Sequence, residues 1–339
     1  MNKAKLLSAG LICSALFLTS CSKNNKNETF KIKENKPSYT EEATISLGFS
    51  TNMEDPRAVA SLLFKDEVEK NTGGRIKITI FSDGTLGSDT ELIEGLMNNS
   101  VDMTVSSAGN FAVYATKVGI SALPFLFSTF EDAWTFMDSN LISQVNKNLE
   151  DFGIIVLSHY DNGFRCVTTT NRPVNKVEDM KGLNIRTPPN QIVMETMLSL
   201  GANPKPYAFN ELKKALKDGI FDSQENPIPV IFNSKLYEEQ KYLAITNHSY
   251  DAMPLAIRKE LWNSFSPADK EIILAAAKKA QMLDRELVKK QTEDYVDKLK
   301  ENGMIITHPD LSQFKNTTES VMQVFSDIYG KDLLDKLPK

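Results

Sequence analysis

Two arginines stand where a charge is expensive. Arg165 follows Asn162-Gly163-Phe164 and leads into Cys166-Val167-Thr168-Thr169. Arg186 follows Leu183-Asn184-Ile185 and precedes Thr187-Pro188-Pro189. Both lie inside or at the end of apolar, strand-like segments. An unpaired buried cation is costly, so each needs an anionic partner. A carboxylate is the natural one, because the guanidinium fork grips both of its oxygens. That partner is either the carboxylate of a bound solute or an internal acid, and the apolar pattern leaves both readings open.

Other chemistries lack their groups. The chain has no G-x-S-x-G elbow, H-E-x-x-H pair, Walker A loop or G-x-G-x-x-G turn. Its three histidines, His159, His248 and His308, show no metal-ligand spacing. No catalytic residue, metal or cofactor is therefore expected, and the chain does not read as an enzyme. Asp89 and Glu91 sit at a helix start behind Gly87, where capping and ligand contact are both open roles. A net charge of -5 argues against nucleic acid as a partner but leaves room for a local anion site.

The first residues read as an export signal. Lys3 and Lys5 precede an apolar run from Leu6 to Ser20 that is short for a membrane span. It ends in Leu18-Thr19-Ser20-Cys21, the pattern of a bacterial lipobox, so cleavage before Cys21 and lipidation of its thiol are expected. Two or more acyl chains would anchor the protein stably to a membrane. Residues 22–42 are rich in Asn, Lys and Glu and read as a flexible tether. Cys13 belongs to the signal and Cys21 to the lipid, which leaves Cys166 as a buried strand thiol with no disulfide partner.

From about Ala43 the chain is long enough for two domains. Ile45, Leu47 and Phe49 alternate as a strand. Asp55-Pro56 starts a helix that Gly73-Gly74 ends. Ile76, Ile78 and Ile80 form a second strand. Ser88 and Glu91 make a capping box for a helix through Asn99, and Asp102–Val105 is a third strand. This β-α-β-α-β order predicts a parallel sheet covered by helices. Beyond it the pattern gives a helix over Phe130–Glu150 and strands over Gly153–Leu157, Arg165–Thr169 and Leu183–Arg186. A helix over Asn190–Leu200, a helix capped by Asn210 and running to Lys217, and a strand over Ile220–Asp222 complete the series. Ser266-Pro267 opens a helix with no internal Gly or Pro until Gly303, roughly 50 Å long and able to brace two domains.

Several blocks resemble the solute-binding proteins of tripartite ATP-independent periplasmic (TRAP) transporters, the DctP family. They are Met180-Lys181-Gly182-Leu183-Asn184-Ile185-Arg186-Thr187-Pro188, Gly201–Phe209, Asp222–Pro227 and Gln240–His248, with Thr72–Ile76 and Leu86–Asp89 near the front. Their order and spacing match together over about residues 43–320. At Ser223 the family more often has Gly. The resemblance implies a periplasmic-binding-protein-like α/β fold: two α/β domains, a ligand cleft between them and a long helix spanning both. It divides the chain into residues 43–163 plus about 252–291, and 164–251 plus about 292–339.

By the same resemblance, Arg186 grips a ligand carboxylate, Arg165 supports that group, Asn226 donates to it and Phe209 packs on the ligand body. Ser50, Asn52, Asp89, Ser107 and Asn110 in the first domain would choose the ligand. Relatives that bind sialic acid are similar but carry Glu and Arg where this chain has Ser107 and Asn110, which argues against that ligand. The implied function is capture of a small organic acid, a sugar acid or a C4-type dicarboxylate or hydroxy acid, outside the cytoplasm. Delivery would be to TRAP membrane subunits. A binding protein that feeds a chemoreceptor, or less favourably an extracytoplasmic enzyme, would be the alternatives.

Overall fold

The computed structural model describes residues 42–330, 333 and 335–337. The expected signal, Cys21 and nearly all of the tether lie outside the described residues. The first part of the chain runs β1 (Ala43–Gly48), α1 (Pro56–Asn71), β2 (Ile76–Phe81), α2 (Asp89–Met97), β3 (Met103–Val105) and α3 (Ala108–Phe111). Then come α4 (Phe130–Met137), α5 (Asn140–Asn146), β4 (Ile154–Thr169), β5 (Asn184–Thr187), α6 (Gln191–Ser199) and β6 (Asn203–Pro206). The remainder is α7 (Leu212–Lys217), β7 (Ser223–Pro227), α8 (Ile228–Asn233), β8 (Tyr242–Arg258), α9 (Lys259–Ser264), α10 (Pro267–Glu301), β9 (Ile305–Thr307) and α11 (Leu311–Tyr329).

The local signals act where the side chains demand. Asp55 accepts from the Arg57 amide with Pro56 in the first turn of α1, and Ser88 and Glu91 form the reciprocal cap of α2. β1 pairs in parallel with β2 and β3, and β5 in parallel with β6 and β7. These parallel groups form two α/β lobes, joined by the long antiparallel pair β4–β8 in the order β2-β1-β3-β8-β4-β7-β5-β6. The β4–β8 ladder slips between Asp161 and Gly163 and again between Arg165 and Val167. Such bulges bend and twist a strand pair, so the crossing between lobes is also where the sheet turns.

α10 is one helix of 35 residues, capped by the Ser266 hydroxyl on the Asp269 amide. Ile273, Ala276, Ala277 and Ala280 join the core built on β1, α1 and β2, while Leu299 joins the core under α7 and α8. One rigid element thus packs into both lobes. Among the described residues no helix is long and apolar enough to cross a membrane.

Four expectations need correction. The helix expected over Phe130–Glu150 is α4, α5 and a 3-10 turn, because Ser139 caps a new start by accepting from the Ile142 amide at 3.4 Å. The two strands expected at Gly153–Leu157 and Arg165–Thr169 are one strand, β4. Its polar middle breaks the apolar alternation, yet His159, Asp161 and Asn162 stay in the sheet because each finds a buried partner. Asn210 caps nothing: α7 starts at Leu212 behind a 3-10 turn, with no side-chain cap. The strand expected at Ile220–Asp222 begins three residues later as β7, whose Gln224, Glu225 and Asn226 bond other side chains.

Candidate functional site

β5 carries Arg186 to the edge of a cleft between the lobes, with only 2% of the residue exposed. Its Nε and Nη2 both donate to the Tyr207 carbonyl, at 2.9 and 2.7 Å. The Phe209 ring lies 5.8 Å from the guanidinium carbon, within cation–π range. Burial lowers the Arg186 pKa to about 10, which still leaves it charged at neutral pH. Among the described residues no carboxylate stands within ion-pair distance of it.

Arg165 is different. Its Nε pairs with Glu225, its Nη1 donates to Asp251 Oδ2 at 2.7 Å, and its Nη2 reaches Glu225 Oε1 at 2.8 Å and Asn226 Oδ1 at 3.2 Å. Burial opposes the Arg165 charge, but Glu225 and then Asp251 more than offset it and hold its pKa above the ordinary value. Burial would likewise raise the Glu225 carboxyl, yet Arg165 and a bond from His248 keep it below the usual range. Asp251 also receives the Ser107 hydroxyl at 2.5 Å and the Asn162 amide at 2.8 Å. Asn162 in turn accepts from Arg57, which is paired with Asp55 at 3.0 Å. A buried network therefore runs from the first lobe through the strand crossing to the second. Such a network is rigid because breaking one member strands another.

These groups wall a cavity of about 30 Å³, shared by Ser50, Asp89, Ser107 and Asn110 from the first lobe and Arg165, Arg186, Phe209 and Asn226 from the second. Asp89, Asn110, Arg186, Pro188 and Phe209 also line an adjoining pocket of about 210 Å³. Ser50 donates to Asp89 Oδ2 at 2.8 Å. The other Asp89 oxygen and Asn110 Oδ1 are buried without a partner. Asn226 lies at the cavity wall with its Nδ2 on Gln224 Oε1 at 2.5 Å.

Asn52 does not reach the cavity. Its Oδ1 accepts from the Glu54 amide at 3.0 Å in the turn before α1, and its Nδ2 donates to the Asn233 carbonyl at 2.9 Å. It bridges the lobes beside the cleft instead of lining it. Asp251, Glu225, Asn162, Arg57 and Thr51 went unread in the sequence. Asp251 and Glu225 carried the signal that marked the arginines, a charge inside a strand, but only the cations were weighed that way. Cys166 is buried, and burial pushes its thiol up to about 11. Among the described residues no group of three His, Cys, Asp or Glu is placed to hold a metal.

The arrangement binds: a cation without a counter-ion, a ring beside it and unsatisfied polar atoms opposite. Residues 48–328 match the DctP family, bacterial extracellular solute-binding protein, family 7. The chain is 31% identical over 291 residues to the 2,3-diketo-L-gulonate-binding periplasmic protein YiaO of Escherichia coli, covering 86% of this chain and 88% of that protein. Its fold superposes with a TM-score of 0.85 on a TRAP periplasmic solute-binding protein of Polaromonas sp. JS666 bound to D-erythronate. That match has 32% identity and covers 88% of this chain and 100% of the other. The sugar acid binding protein DctPAm of Advenella mimigardefordensis, in complex with galactonate, matches with a TM-score of 0.84 and 29% identity over 87% of this chain and 96% of its own. With the family match spanning most of its length and the two-lobed fold shared, this chain belongs to the DctP family of extracellular solute-binding proteins of TRAP transporters.

Proposed function

We propose that the protein captures a small organic acid outside the cytoplasm by seating its carboxylate on Arg186, and hands it to TRAP membrane subunits. The observation that carries this reading is the buried guanidinium of Arg186, which has no carboxylate within ion-pair distance among the described residues. A ligand carboxylate supplies the missing charge, Phe209 covers its carbon chain and Asn226 stands beside it. Arg165 acts through others: its donors are committed to Glu225 and Asp251, so it holds Asn226 and the cavity floor in place. Sugar acids bound to similar proteins, galactonate and D-erythronate among them, support that class of ligand.

Residues 43–163 with about 252–291 form one moving body in this reading, and 164–251 with about 292–339 the other. They hinge at the slipped β4–β8 ladder and close over the ligand, because only the closed form contacts both of its ends. Cys21 carries the lipid that keeps the receptor at a membrane, as Leu18-Thr19-Ser20-Cys21 supports.

Calorimetry on purified Arg186→Ala tests the carboxylate contact. The substitution should weaken sugar-acid binding by about 3 kcal/mol, the scale for truncating one side of a buried charge pair. Unchanged affinity in a folded variant would overturn the assignment.

A further inference from the structure

The cleft carries a second charge that has no partner, and its sign is opposite to the first. Three arginines line the cavity: Arg57, Arg165 and Arg186. Arg57 is paired with Asp55, and Arg165 with Glu225 and Asp251, so of the three Arg186 alone has no carboxylate within ion-pair distance among the described residues. Two acids line the same cavity, Asp89 and Asp251. Asp251 is ion-paired at 2.7 Å with Arg165, which it shares with Glu225, whereas Asp89 has no cation within ion-pair distance among the described residues. Asp89 projects from the first turn of α2 in the first lobe, and Arg186 faces it from β5 in the second. Each wall of the cleft thus presents one lone charge, positive on one side and negative on the other.

The atoms around Asp89 define what can meet that wall. Ser50 occupies Oδ2, and Oδ1 is buried with nothing donating to it. Asn110 Oδ1 and Thr51 Oγ1, on the same side, are also buried without a partner. An ionised carboxylate only accepts hydrogen bonds, so a donor must come to it or the desolvation cost stands. A hydroxyl supplies that donor without charge. Ser50, Thr51 and Asn110 are neutral groups suited to further hydroxyls along one carbon chain. A second carboxylate would bring charge against charge in a closed, water-poor space and would leave Asp89 Oδ1 without a donor.

We infer that the ligand is a polyhydroxylated monocarboxylate, with Asp89 binding its hydroxyl end and rejecting acids that carry a second carboxylate. This rests on the proposed seat at Arg186 and sharpens it. Arg186 fixes which end of the ligand enters the second lobe, and Asp89 reads the other end. The dicarboxylates that the family resemblance left open are thereby excluded, by repulsion as much as by lost contacts.

The test compares aldonates of four to six carbons with the aldarates of the same length and configuration, which differ only in the second carboxylate. Calorimetry on the wild-type protein should show the best aldonate binding about 100-fold or more tighter than its aldarate, the scale of close like-charge repulsion. Asp89→Asn keeps the shape and removes the charge. It should close most of that gap, chiefly by a gain for the aldarate. An aldarate that binds the wild type as well as its aldonate does would overturn this inference while leaving the Arg186 seat intact. So would a ratio that Asp89→Asn leaves unchanged, or a preference for an ω-amino acid of equal length, whose ammonium would be the donor instead. No binding of any acid to folded protein would overturn both readings.

Discussion

Asp161 lies where β4 crosses between the lobes, fully buried, and carries a pH dependence that belongs to one residue. Its Oδ2 accepts from Trp134 Nε1 at 2.6 Å, and its amide donates to Asp284 Oδ2 at 2.5 Å. Burial pushes the carboxyl up to about 7, with Trp134, Arg285 and Tyr250 acting weakly the other way. The folded protein therefore holds a proton that the unfolded chain has lost from about pH 4 upward. Stability from this group is full at low pH and drains away as pH rises through about 7. His159 slopes oppositely: burial lowers it to about 4, so the unfolded chain takes up a proton below about pH 6.5 that the folded one refuses. Stability then falls as pH drops. Asp284 is raised by burial and further by the Asp161 charge, so removing that charge relieves it in the same direction. Thermal melts of Asp161→Asn should thus sit above wild type at pH 8 and converge on it at pH 4. Parallel curves would remove Asp161 as the source.

At the scale of elements, the two lobes approach closely where α3 faces the start of α6. A methyl group on Gly109 would lie 1.9 Å from Asn190 Nδ2 and 2.9 Å from its Cβ. Asn190 cannot yield freely, since its Oδ1 caps α6 through the Ile192 amide at 2.9 Å. Gly109→Ala should push α3 away from α6 and oppose closure. Ligand affinity should fall roughly ten-fold, equivalent to about 1.4 kcal/mol, with only a modest loss of melting temperature. Wild-type affinity would show that the contact yields. Elements governed by their own residues were legible: Asp55-Pro56 starts α1, Ser88 and Glu91 cap α2, and Ser266-Pro267 opens α10. Those governed by distant partners were not. β4 reads as two strands because Ser158 to Asn162 is polar, and only β8, Asp284 and Asp251 make that stretch a buried strand. β7 is hidden for the same reason, since Glu225 belongs in a strand only when Arg165 is there to pair with it.

For the whole molecule, α10 fixes the frame within which the lobes move. Arg285 and Lys278 of α10 bond Asp138 at the end of α4, at 2.9 Å each, so the helix is tied to the first lobe as well as packed on it. Two Arg285 nitrogens and one Lys278 nitrogen around a single carboxylate offset its burial and hold Asp138 down at about 2. The receptor as a whole should also be tethered. In cells, the wild-type chain is expected in the membrane fraction with acyl label, and Cys21→Ser in the soluble fraction of the same compartment. Soluble wild type would refute the anchor. The long helix is readable from residues alone, because it is a local pattern: a capped stretch free of Gly and Pro. The two-domain plan and the importance of Arg186 came from ordered blocks along the chain. What the apolar pattern by itself does not divide is the pair of arginines, which look alike as cations in strands. Only the fold brings Glu225 and Asp251 onto Arg165 and, among the described residues, no carboxylate onto Arg186, because pairing depends on which strands lie side by side. The same packing leaves Asp89 alone on the facing wall, and so makes one arginine a brace and the other a binding site.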